Sequence, residues 1–187
     1  MNSGKRVHMW TGQDGRVMET LARSGRYAVK QAFIEEKYQD TAWIFKEAYQ
    51  FLASCAQERI SRPPDAQSPV WVYKCVQNIH GGAGLYYLQL AIPEDQILIF
   101  DIRKWNRVLN LNFIGETREE EEEFQRRLER KGIKDSVSVF TSPFYPVEKQ
   151  EIKKSWNKLL EMPAEEEMYV QGMTWEIRQE WIEKTIT

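Results

Sequence analysis

Residues 70–92 read VWVYKCVQNIHGGAGLYYLQLAI, and this stretch decides the fold class. Its two outer runs, Val70–Gln77 and Leu85–Ile92, are rich in β-branched and aromatic side chains, which suit a pleated, half-buried surface. Between them lies the glycine-rich Asn78–Gly84. The pattern predicts an antiparallel hairpin with a long loop. Pro93-Glu94-Asp95 then marks a turn, and Gln96–Phe100 (QILIF) a further short strand. Toward the N-terminus, Thr41–Ile60 carries Phe45, Ala48, Tyr49, Leu52, Ala56 and Ile60 at spacings of three and four, one apolar stripe on a long helix. Arg62-Pro63-Pro64 ends it, because proline lacks an amide donor and forces the preceding residue out of helical geometry. Earlier still, Val7–Gln13 (VHMWTGQ) reads as a first strand. Asp14 caps a short helix bearing Val17, Met18 and Leu21, which Gly25 closes.

Toward the C-terminus, Asp101 caps a helix with Ile102, Trp105, Val108 and Leu109 on one face. Thr117 and Glu120 have the spacing of a capping box for a helix with an acidic start and a basic end. In it, Glu122 with Arg126 and Glu123 with Arg127 stand four residues apart in the favourable order. Val137–Phe140 reads as a short strand and Val147–Leu160 as a helix stopped by Pro163. Met168–Ile177 (MYVQGMTWEI) reads as a late strand, and Trp181 and Ile182 as a closing turn or short helix. Strands and helices mix without the regular alternation of a parallel doubly wound sheet. The expectation is an α+β fold, a mainly antiparallel sheet with one long and several shorter helices packed on it. Without repeats or linkers, residues 1–187 read as a single domain, with the polar residues 1–6 disordered.

Composition excludes several classes of function. The net charge of −2 offers no bulk attraction to nucleic acid or to an anionic membrane, and no run of eighteen apolar residues occurs. Cys55 and Cys75 stand alone and read as reduced thiols, and His8 and His80 have no metal-ligand neighbours at useful spacing. No metal site is expected, and the chain reads as a cytoplasmic protein. Phosphate-loop, dinucleotide, zinc-protease and nucleophile-elbow motifs are absent. The run His80-Gly81-Gly82-Ala83-Gly84 leads into a strand rather than a helix N-terminus, so it lacks the amide geometry of a phosphate cradle.

Four segments carry a resemblance: Trp10-Thr11-Gly12-Gln13, Phe45-Lys46-Glu47-Ala48-Tyr49, Ile92-Pro93-Glu94-Asp95 through Asp101 and Trp105, and Val170–Ile177. In order and spacing they resemble a bacterial domain-of-unknown-function family. Its members open with Trp-Thr-x-Gln and carry Pro-x-Trp before the hairpin. They continue with Ile-Pro and Trp-x-x-Val-Leu-Asn, and close with Gln-x-x-x-Trp-x-Ile. Pro69-Val70-Trp71 and Trp105–Asn110 take the middle places. The likeness covers residues 7–110 and 155–182, departs in the short glycine-rich loop, and brings no established activity.

A more distant similarity, in the order of parts, is to ADP-ribosyltransferases that use NAD. It implies Thr11 and Gln13 on the first strand holding the nicotinamide ribose, and Gln171 or Glu176 acting from the late strand. Such chemistry needs a carboxylate beside an oxocarbenium-like centre and donors on the leaving amide. Alternation sets Gln171 and Trp175 on one face of a flat strand and Thr174 and Glu176 on the other. Gln171 and Glu176 share a cleft only if Gly172 makes a bulge. Two readings follow. One is a binding or regulatory domain without cofactor, taking a protein or small-molecule ligand, with Trp10, Thr11, Gln13 and Trp175 as candidate contacts. The other is an NAD-dependent transferase, with Gln171 and Glu176 catalytic.

Overall fold

The computed structural model describes residues 4–29 and 42–187. Residues 1–3, and Thr41 at the expected start of the long helix, lie outside the described residues. The architecture is α+β, as the mixed order of elements predicts. It divides into two compact units. One holds the described residues of Met1–Gln39 with Leu52–Ile99 and Glu165–Thr187; the other holds those of Asp40–Phe51 with Phe100–Ala164.

The first unit is built on strands β1 (Arg6–Gln13), β2 (Arg26–Ala28), β3 (Val70–Tyr73), β4 (Tyr86–Pro93), the first half of β5 (Leu98–Asp101), β6 (Val170–Thr174), β7 (Glu176–Arg178) and β8 (Ile182–Ile186). Six of them form an antiparallel sheet in the order β5-β6-β3-β1-β4-β8, while β2 and β7 form a separate pair. β1 pairs with β4 along its whole length, from Arg6 opposite Pro93 to Gln13 opposite Tyr86. Lys5 and Arg6, which fall in the segment expected to be disordered, are ordered: Arg6 opens β1, and the Lys5 carbonyl accepts from the Glu94 amide at 3.0 Å.

β3 and β4 do not form the expected hairpin, because β1 lies between them. Alternation shows which side chains face the core, but every strand with the same pattern is an equally good neighbour. The chain between Tyr73 and Tyr86 is also long enough to step over one strand, a span of about 10 Å. Met9, Val70, Val72, Leu88, Leu90 and Ile92 fill one face of the sheet and pack with Val17 and Leu21 of helix α1 (Gly15–Ser24). Asp14 caps α1 by accepting from the amides of Arg16 (2.9 Å) and Val17 (3.1 Å). Gly25 ends it with φ +71°, a left-handed conformation that glycine adopts without steric cost.

The late strand is broken. β6 stays in the large sheet, and after Trp175 the chain continues as β7 beside β2, with Ile177 opposite Tyr27. Gly172 makes no bulge: β6 keeps unbroken register with β3 from Val70–Thr174 to Tyr73–Gln171. The glycine serves close approach instead. A Cβ there would stand 2.7 Å from the Leu98 carbonyl oxygen and 3.3 Å from Val72 Cγ2. The expected closing turn at Trp181 runs on as an edge strand, β8, against β4.

The second unit is helical. It contains the first part of α2 (Ala42–Gln57), then α3 (Ile102–Leu109), α4 (Arg118–Arg130), α5 (Ser136–Thr141), α6 (Pro146–Ser155) and the single turn α7 (Lys158–Glu161). Asp101 caps α3, accepting from the Arg103 amide at 2.8 Å. Trp156 anchors this core. Its indole N–H donates to the Asn112 carbonyl at 2.9 Å, and its ring stacks on Phe140 and meets the Phe51 ring edge-on. Val137–Phe140 is helical rather than extended, since adjacent Val139 and Phe140 are both buried and Asp135 caps the turn through the Ser138 amide. On α4, Glu122 pairs with Arg118 and Glu123 with Arg126 and Arg130, so the two expected pairs are replaced. Arg127 turns instead to Glu151.

Gly172→Ala forces a methyl group onto the Leu98 carbonyl. It is expected to destabilise the protein by about 1–3 kcal/mol, seen as a lower urea midpoint. An unchanged midpoint would show that β5 moves aside freely.

Candidate functional site

Period-two alternation along β1 fixes where its candidate residues go. Trp10 stands opposite Tyr73 of β3, and Tyr73 opposite Gln171 of β6. Trp10, Tyr73 and Gln171 thus form one row on one face of the sheet. Thr11 points to the other face, among the core residues aligned with Leu88, and so does Gln13, aligned with Tyr86. Gln13 and Gln171 therefore face opposite sides of the sheet. The arrangement implied by the transferase similarity, with both lining one hollow, is not assembled.

What is assembled lies between β1 and β3. These strands pair through Trp10 and Tyr73, and one residue further on a side chain takes up the contact. The Thr11 hydroxyl, 1% exposed, donates to the Trp71 carbonyl at 2.9 Å. The Gln13 amide donates in turn to Thr11 Oγ1 at 2.7 Å. The gap opens into a cavity of about 270 Å³. Thr11, Gly12, Gln13, Val70, Trp71 and Tyr73 line it from the strands, and Val29, Pro69, Ile79 and His80 complete the wall. Burial pushes the Tyr73 phenol above its ordinary pKa, so it stays a neutral hydroxyl.

The glycine-rich segment closes one side of this hollow and is not a hairpin tip. Asn78 ties it down by donating from its side chain to the Met168 carbonyl. Ile79 packs so close to β1 that a Cβ on Gly12 would lie 2.7 Å from its Cγ2. A Cβ on Gly81 would meet the tip of the Leu85 side chain, which would have to turn aside.

The remaining candidates are committed elsewhere. Glu176, 2% exposed, lies between two guanidinium groups: Arg26 Nε donates to one carboxylate oxygen and Arg178 Nε to the other, the latter at 2.6 Å. Arg26 also grips Asp65 with two bonds of 2.8 Å, and these carboxylates raise its pKa further above the ordinary arginine value. A buried carboxylate held from both oxygens is a charge anchor between β2 and β7, poorly suited to proton transfer. Trp175 is buried, with the Arg62 guanidinium 4.5 Å above its ring. Gln171 is 4% exposed, and its side-chain oxygen has no hydrogen-bond partner among the described residues. His8 pairs at the surface with Glu183 through a 2.8 Å contact.

Trp71, Tyr73, Ile79 and His80 are among the lining residues that sequence reasoning did not select. A signal existed for Tyr73 and Trp71: the alternation of β3 buries Val70 and Val72 and turns these two aromatics to the other face. Among the described residues no group of three His, Cys, Asp or Glu is placed to hold a metal ion. Nor is any described helix long and apolar enough to cross a membrane.

A sequence model of the family described as a domain of unknown function (DUF3841) matches residues 8–183. No curated protein and no solved structure matches the chain.

Glu176→Gln removes the charge that two guanidinium groups share. Because both arginines are partly exposed, the expected loss is about 2 kcal/mol, below the range for a fully buried pair. Urea unfolding followed by circular dichroism measures it. Unchanged stability would contradict the anchoring role.

Proposed function

We propose that the chain, which belongs to the DUF3841 family of domains of unknown function, is a binding domain for a small planar ligand. The ligand sits in the cavity between the parted ends of β1 and β3. The observation that carries this reading is the parting itself: the sheet gives up regular pairing just where polar and aromatic side chains converge. Thr11, Gln13, Tyr73 and His80 offer hydrogen bonds, and Val29, Pro69, Val70, Trp71 and Ile79 offer apolar surface. Polar and apolar groups share the wall about equally, so a ligand would be held by hydrogen bonds as much as by apolar contact. The volume of about 270 Å³ suits a single ring system and not a dinucleotide. Tyr73 supplies a flat surface for such a ring.

Two features argue against the transferase reading. Gln13 and Gln171 are separated by the sheet, and Glu176 is neutralised by two arginines. A binding or regulatory role needs neither. We place the protein in a bacterial cytoplasm, a setting that the free thiols of Cys55 and Cys75 support.

Backbone-amide NMR during titration with small aromatic heterocycles tests the reading. Shifts are expected to cluster at Thr11, Gly12, Gln13, Tyr73 and Ile79. Gln13→Leu, which keeps the bulk and removes the amide, is expected to weaken binding about tenfold. Shifts that cluster elsewhere, or none with any heterocycle, would sink the proposal.

A further inference from the structure

The hydrogen-bond chain at the cavity has only one consistent polarity, and that polarity selects the ligand. The Trp71 carbonyl oxygen can only accept. The Thr11 hydroxyl, 2.9 Å away, has a single proton and spends it on this contact. Thr11 Oγ1 must therefore accept from Gln13 at 2.7 Å, which requires the NH₂ group of the Gln13 amide to face Thr11. The carboxamide oxygen is then turned away from Thr11, and no protein group binds it among the described residues. Gln13 is held at its root by full pairing with Tyr86, so the amide cannot escape by a shift of its backbone.

Resting on the cavity reading above, we infer that Gln13 is the specificity-determining residue of the site and selects planar ligands that present an N–H donor. Amino-substituted heterocycles such as adenine belong to this class. Rings that carry only an acceptor at the same place meet the Gln13 oxygen with a lone pair and are rejected. Tyr73 cannot make this choice, because a phenol offers both a donor and an acceptor, and His80 is exposed to solvent. Thr11 acts as a positioning residue: it touches Gln13 and sets which end of the amide faces outward. The relay explains why a buried strand position carries a hydroxyl where its neighbours are aliphatic. Valine there would keep the shape and lose the polarity.

The test compares 9-methyladenine with the 9-methylpurine that carries a methoxy group in place of the amine, an acceptor of similar outline with no ring N–H. Dissociation constants come from amide-shift titrations on the intact chain. The unmodified protein is expected to favour 9-methyladenine by about tenfold or more, as sites do when a mismatch leaves a polar group unpaired. Thr11→Val frees the amide to turn either way, and the preference is expected to fall to within about threefold. Thr11→Ser retains the hydroxyl and is expected to retain the preference, which separates loss of polarity from loss of fold. Equal affinity for the two purines in the unmodified protein would overturn the inference. Full preference in a folded Thr11→Val variant would do so too. Either result leaves the cavity reading intact if shifts still map to β1 and β3. Failure of every heterocycle to shift these residues removes the cavity reading, and this inference with it.

Discussion

The structure depends on the double engagement of β1. This strand lies inside the six-stranded sheet, bonded along its whole length to β4 but engaging β3 through Trp10 and Tyr73. The β4 side sets the register that sends Val7, Met9 and Thr11 toward the apolar face, opposite Ile92, Leu90 and Leu88. A slip of one residue would send Met9 to the opposite face and expose the core of the unit. The β3 side is where the sheet loosens. One strand thus provides both the most tightly specified part of the unit and its opening.

The same alternation limits what the sheet can do chemically. Residues three apart on neighbouring positions of a flat ladder face opposite ways, so Trp10 and Gln13 cannot serve one surface. The row from Gln171 through Tyr73 to Trp10 lies on the opposite face from Thr11, and only where β1 and β3 part do Thr11, Gln13 and Tyr73 line one gap. A bulge at Gly172 could have reset the late strand, but Gly172 is spent on the close passage of Leu98. The chain changes direction at Trp175 instead. That break hands Glu176 to a second, two-stranded sheet, where Arg26 and Arg178 enclose it.

Much of this was legible in the sequence, and the failures share a physical cause. Helix α1 was readable in detail, because Asp14 and Gly25 act on their own local backbone. Asp101 was readable as a cap for the same reason. The strands at Val7, Val70 and Leu85 were readable, the last two from their β-branched and aromatic content. Their partners were not, since pairing is decided by residues far apart in the chain, and β1 displaced the expected hairpin. Val137–Phe140 misled because four residues are too few to separate a period of two from one of 3.6. At the site, Thr11 and Gln13 were picked out from the motif Trp10–Gln13, and they do meet. Gln171 and Glu176 were picked out with them, yet no local signal reveals which face a distant strand will present. Tyr73 and Ile79 went unselected because their importance comes from the gap, which exists only once β1 has entered between β3 and β4.

The gap calls for a physical explanation, because sheets tend to close. Extending the β1–β3 ladder past Trp10 would add backbone hydrogen bonds and remove most of the hollow. If a void of about 270 Å³ were sealed and apolar, it would cost about 6 kcal/mol by the scaling of core cavities, a large share of a typical domain's net stability. Two devices hold it open. Ile79 is wedged against Gly12, where even one added carbon would collide, so the β1 backbone is pinned under the loop. Thr11 gives its proton to the Trp71 carbonyl, satisfying an acceptor that closure of the ladder would otherwise recruit. Polar groups of Gln13, Tyr73 and His80 line what remains, so the hollow is not an apolar void and that penalty does not apply in full. β1 gives up ladder bonds, a glycine and a buried hydroxyl at this space, as the proposed ligand site would require.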